Sequence, residues 1–144
     1  MLKLLEQCVL AATIAYLSAG MVHAQAYPAK PVRIVVPFAP GGGTDVIARY
    51  LAAGMSESLK RQVLVDNRAG ANGIVGTEIV ARAPADGYTL LFVSSPHSVN
   101  PSMYAKLPYD TLRDFAPVSM VASSPYILVA HPSLPVRNVK ELIA

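Results

Sequence analysis

The chain has 144 residues, 53% of them hydrophobic and 15% charged, and its 12 basic side chains against 9 acidic ones give a formal charge of +3. Only Lys60 and Arg61 adjoin among the bases, and no basic block alternates with aromatics, so nucleic acid is excluded as a partner. The single cysteine, Cys8, rules out an internal disulfide and the cysteine-based zinc and redox motifs.

Residues 1–26 read as an export signal rather than as fold. Lys3 supplies the basic start, Cys8 to Met21 the apolar run, and Ala24 or Ala26 a small-residue cleavage point. The run falls short of the roughly 20 apolar residues of a membrane span. A cleaved leader is therefore expected over an uncleaved anchor, and the product is read as a free soluble protein. Cleavage removes Cys8, which lies too early to carry a lipid, and leaves the charge at +3 because Lys3 and Glu6 leave together.

Val32 to Phe38 is a β-branched apolar run broken only by Arg33, the pattern of a strand buried on both faces of a parallel sheet. After Gly41-Gly42-Gly43, Thr44 is placed to cap a helix in which Val46, Ile47, Tyr50, Leu51, Met55 and Leu59 recur at helical spacing. Gln62 to Asp66 predicts a second strand, and Asn67 to Gly73 ("NRAGANG") a turn. The following "IVGTEIVARA" predicts a helix with Ile74, Val75, Ile79 and Val80 on one face, stopped by Pro84 and Asp86-Gly87. Tyr88 to Ser95 is the third strand. The order β-α-β-α-β with short connections predicts a doubly wound, mostly parallel α/β sheet.

From Pro96 to Phe115 the prolines Pro96, Pro101 and Pro108 predict a loop with at most a helical turn around Ser102 to Lys106. Ala116 to Ala122 and Tyr126 to His131 read as two extended segments. Asn138 with Glu141 three residues on opens a further helix, yet the sequence stops at Ala144 after about one turn. A truncated chain is the expectation there.

The three strand ends carry the functional signal. Gly41 to Gly43 strip side chains from the junction between a strand and a helix, where backbone amides at the positive end of the helix dipole suit an anion. The same glycines also suit a plain tight turn. "NRAGANG" puts a second small-residue turn at the same edge, and Ser94 to Asn100 ("SSPHSVN") brings hydroxyls, an imidazole and an amide after the third strand. Asp45 suits either the helix N-terminus itself or a ligand contact through water or to an ammonium group. A phosphate-loop or dinucleotide reading fails, since Gly70, Gly73 and Gly76 give G-x-x-G-x-x-G. Gly54 to Ser58 ("GMSES") lacks the last glycine of a nucleophile elbow, and Ser94, Ser95 and His97 show no acidic partner. Binding is read over catalysis, and no metal or cofactor is expected.

Together, "YPAKPVRIVVPFAPGGGTDVIAR", "VDNRAGANGIVGTEIVARAPADGYTLLF" and "HSVNPSMY" resemble the Bug/TctC family, the extracytoplasmic receptors of tripartite tricarboxylate transporters. The resemblance spans Tyr27 to Ala144. It implies a type II periplasmic-binding-protein fold, with 27–122 as a first α/β lobe and 123–144 as the start of the crossing to a second. It implies a periplasmic, monomeric, non-enzymatic receptor for a small mono-, di- or tricarboxylate, passed to membrane permease subunits. The implied contact candidates are Phe38, Ala39, Pro40, Gly41, Gly42, Gly43, Thr44 and Asp45 in the first turn. The second turn adds Ala71, Asn72 and Gly73, and the third Ser94, Ser95, His97 and Asn100. Three alternatives stay open: a sensor presenting to a membrane histidine kinase, a non-functional truncated remnant, and an exported hydrolase using Ser95 and His97.

Overall fold

The computed structural model describes residues 27–143, so the expected export signal and cleavage point lie outside the described residues. Five-residue β1 (Val32–Val36) forms where the β-branched run predicts it. It is the middle strand of a three-stranded sheet of order β2-β1-β3, with β2 (Val63–Asn67) and β3 (Thr89–Leu91) both parallel to it. Val32 pairs with Val63 on one side and Arg33 with Thr89 on the other. Being central, β1 is covered on both faces, and Val32, Ile34, Val35 and Val36 are all buried.

Helix α1 (Gly43–Leu59) lies across one face. Its contact stripe is small: Ala48 and Ala52, one turn apart, sit in the core with Val32, Ile34, Val36 and Val63. Each such apolar side chain withdrawn from water stabilises by about 1.5–3 kcal/mol where it is as large as Val or Ile. The helix opens at Gly43 with Gly42 as its N-cap and no capping side chain, so Thr44 is not the cap that its residue type predicts. Glycine turn geometry, rather than a hydroxyl, sets the boundary.

Helix α2 (Ile74–Ala81) covers the other face and corrects the expected stripe. The buried residues are Gly76 and Thr77, while Val75 is exposed. The helix approaches so closely that a Cβ on Gly76 would lie 2.7 Å from the Arg68 carbonyl and 2.8 Å from Pro37 Cα. The bulky apolar residues do not mark the packed side, and the smallest residue takes the tightest place.

Strand β3 is shorter than the expected Tyr88 to Ser95. Phe92 N still donates to Val35 O at 2.9 Å, but the next positions on the partner strand reach Pro37, which has no N–H to give. Helix α3 (Pro96–Met103) replaces the expected loop, with Ser95 as N-cap and Pro96 in the first turn. Proline is accepted at that position because its missing N–H would have had no helical partner. Pro101 lies inside α3 all the same. The helical turn expected at Ser102 to Lys106 is therefore displaced upstream.

Residues 116–131 are exposed and form no ladder among the described residues, so the two extended segments expected there remain unpaired. Helix α4 (Val139–Ile143) does begin at the expected capping box. Glu141 N donates to Asn138 Oδ1 at 3.0 Å, and Asn138 Nδ2 returns a bond to Glu141 Oε1 at 2.7 Å. No helix among the described residues is long and apolar enough to cross a membrane.

Candidate functional site

Three parallel strands, each followed by a helical segment, bring their following turns to one edge of the sheet, the edge where open α/β sheets bind ligands. At the first turn Gly41 has φ +86°, a left-handed conformation that disfavours side chains. Gly42 is extended, and its carbonyl accepts the first helical bond, from Val46 N at 3.0 Å. The first-turn amides of α1, at Gly43, Thr44 and Asp45, have no intrahelical acceptor and no side-chain cap. Ala39, Pro40 and the three glycines are exposed, Thr44 is half-buried, and Phe38 reaches back to pack against the core.

Asp45 points inward and is buried. Its Oδ2 accepts from the Gly41 amide at 2.9 Å and from Arg49 Nε at 2.9 Å, while Oδ1 accepts from Asn67 Nδ2 at 2.9 Å. The Arg49 bond, with the Gly41 amide and the Asn67 carboxamide after it, holds the Asp45 carboxyl down at about 2 against burial, which pushes it up. In this geometry the Asp45 carboxylate clamps the loop at the helix N-terminus. Asn67 Nδ2 also donates to the Phe38 carbonyl at 3.1 Å, and Arg49 Nη2 donates to Asn67 Oδ1 at 3.0 Å. Sequence reasoning passes over Arg49 and Asn67. The i,i+4 spacing of Asp45 and Arg49 is a signal for the first; the Asp45–Asn67 contact is long-range and leaves none.

The second turn is a run of four residues at positive φ: Gly70 (φ 145°), Ala71 (45°), Asn72 (53°) and Gly73 (88°). Ala71 and Asn72 carry side chains in a region that costs on the order of 1–3 kcal/mol per residue. Asn100, fully buried on α3, holds the turn: Asn72 Nδ2 donates to Asn100 Oδ1, and Asn100 Nδ2 donates to the Asn72 carbonyl. Gly73 abuts the first turn, since a Cβ there would stand 3.6 Å from the Phe38 ring.

The third turn differs in kind. His97 N donates to Ser94 O at 3.0 Å and Ser98 N to Ser95 O at 3.1 Å, so α3 closes its own first amides where α1 leaves them open. Ser94 and Ser95 are exposed, and the Ser95 hydroxyl pairs with that of Tyr126. His97 stacks on Tyr109 and meets Phe115 edge-on at 5.4 Å between centroids, with no partner for Nδ1. Desolvation pushes its pKa below the ordinary value of 6.5. Among the described residues Ser95 and His97 share no side-chain hydrogen bond, and no group of three or more His, Cys, Asp or Glu side chains is placed to hold a metal.

The edge thus offers uncapped amides and a glycine-lined opening, chemistry that fits an anion. The family model described as "Tripartite tricarboxylate transporter family receptor" matches residues 47–144. Protein BugT of Bordetella pertussis is 48% identical over 128 residues, covering 88% of this chain and 39% of that protein. A solved R. palustris protein with adipate has a TM-score of 0.72 at 41% identity, covering 81% of this chain and 40% of that one. MatC from Rhodopseudomonas palustris with bound malate has a TM-score of 0.62 at 37% identity, over 66% and 33% of the two chains. Periplasmic binding protein BugD has a TM-score of 0.60 at 46% identity, over 62% and 30%. This chain spans about two fifths of the length of such curated relatives.

Proposed function

This chain belongs to the family of tripartite tricarboxylate transporter receptors, and we propose that it binds a small mono-, di- or tricarboxylate at the glycine-lined edge as part of a periplasmic solute receptor. The fold is the α/β fold of periplasmic binding proteins, and the family consists of receptors rather than enzymes. The observation that carries the proposal is the uncapped N-terminus of α1 beside Gly41 to Gly43. A ligand carboxylate takes the amides of Gly43 and Thr44, with Ala71, Asn72 and Gly73 behind it and Ser94 at the rim. Asp45 and Asn100 act on the turns rather than on the ligand. Residues 27–122 serve as the first lobe and 123–144 as the start of a crossing, and the bound carboxylate is handed to membrane permease subunits. Support comes from relatives solved with adipate and with malate, both dicarboxylates.

Binding is tested by thermal shift against a panel of mono-, di- and tricarboxylates. A ligand at about 100 times its Kd adds about 2.7 kcal/mol to the folded state, so a binder raises Tm. Silence across the whole panel, on a chain shown to be folded, sinks the carboxylate reading.

A further inference from the structure

We propose that Arg49 and Asn67 are positioning residues of the carboxylate site: acting through Asp45, they fix the Gly41 amide and neutralise the negative charge built into the turn. The inference rests on the reading that this turn takes a carboxylate.

Three side chains close a ring in which each bonds the other two. Arg49 Nε meets Asp45 Oδ2 at 2.9 Å, Asp45 Oδ1 meets Asn67 Nδ2 at 2.9 Å, and Asn67 Oδ1 meets Arg49 Nη2 at 3.0 Å. The ring touches the turn at both ends, at the Phe38 carbonyl through Asn67 and at the Gly41 amide through Asp45. Between those anchors run Ala39 and Pro40, so the path of the exposed loop is set from inside. Asp45 is 3% exposed and stands in the first turn of the helix proposed to receive the anion. An unpaired carboxylate there would repel the ligand at short range. Arg49 supplies the opposing charge, and its fork serves two acceptors at once, which a lysine ammonium does not reproduce.

Two readouts test this on the 144-residue chain. The first is hydrogen exchange at the Gly41 amide, measured without ligand. In Arg49→Gln and Asn67→Ala, Gly41 exchanges roughly tenfold faster or more, while the core amides of β1 keep their rates. The second uses adipate and hexanoate, matched in length but carrying two charges and one. Arg49→Gln loses affinity for both ligands, and Arg49→Lys restores it without restoring the Gly41 exchange rate. Unchanged Gly41 exchange in both variants overturns the clamp, and unchanged affinity for both ligands in Arg49→Gln overturns the charge role. A wild-type chain silent across the whole carboxylate panel defeats the carboxylate reading alone, because the exchange rates still decide the clamp.

Discussion

Asn72 and Asn100 exchange two hydrogen bonds across 28 residues of sequence, at 2.8 Å and 3.1 Å, and so pin a left-handed turn to α3. Neither side chain is a neighbour of the other in any local motif. Removing the buried partner takes both of these hydrogen bonds from the turn. Asn100→Ala is expected to lower the unfolding free energy by about 1–3 kcal/mol, read from urea denaturation. A wild-type midpoint would show that other contacts hold the turn.

Two glycines that look alike in sequence should respond in opposite directions. Gly76→Ala drives a methyl into Pro37 and the Arg68 carbonyl and is expected to cost about 1–3 kcal/mol. Gly54 lies inside α1, and a methyl added there would meet no atom within 4 Å. Gly54→Ala should stabilise by about 0.4–1 kcal/mol by narrowing the unfolded ensemble. Differential scanning calorimetry on the pair decides it: equal changes in Tm would remove the close α2 packing as the explanation.

Acid should act through Asp45. Its carboxyl is lowered from 3.8 to about 2 by the bonds from Arg49, Gly41 and Asn67. A depressed carboxyl stabilises the folded state above its unfolded pKa and loses that contribution as pH falls through the folded one. The stability difference between wild type and Asp45→Asn should therefore hold steady above pH 3.8 and shrink as pH falls toward about 2. A difference that does not change over that interval would mean the carboxyl titrates normally.

His97 sets a second window. Its burial between Tyr109 and Phe115 pushes the imidazole below 6.5, so the unfolded chain takes up the proton first. Stability from this group is present above 6.5 and declines as pH falls below it. His97→Phe should remove that slope from a plot of Tm against pH, and an unaltered slope would assign it elsewhere.

The parts of the fold that local chemistry dictates can be read from the residues alone. β1 announces itself because β-branched residues buried on two faces leave a continuous apolar run, and α4 because Asn138 and Glu141 form a capping box over three residues. α3 is hidden by its own prolines, which break a helix interior yet suit a first turn. The buried side of α2 is hidden because Ile74, Val75, Ile79 and Val80 do not mark it, and Gly76 wins the interface by having nothing to place there. At the site, the glycine turn is visible in the sequence and its internal clamp is not. Asp45 meets Asn67 over 22 residues, and such pairings exist only once the sheet has formed.

The strand order carries a consequence for how the chain comes into being. β1 leads in sequence yet sits in the middle, with Val63–Asn67 on one flank and Thr89–Leu91 on the other. A chain threading out amino end first exposes its greasiest strand long before either flank arrives. Neither edge of that strand can be satisfied by a hairpin, because both partners run parallel and return only through a helix. Until those partners arrive Val32 to Val36 is an apolar segment without a sheet to join, and pairing across such long returns is slower than closing a hairpin.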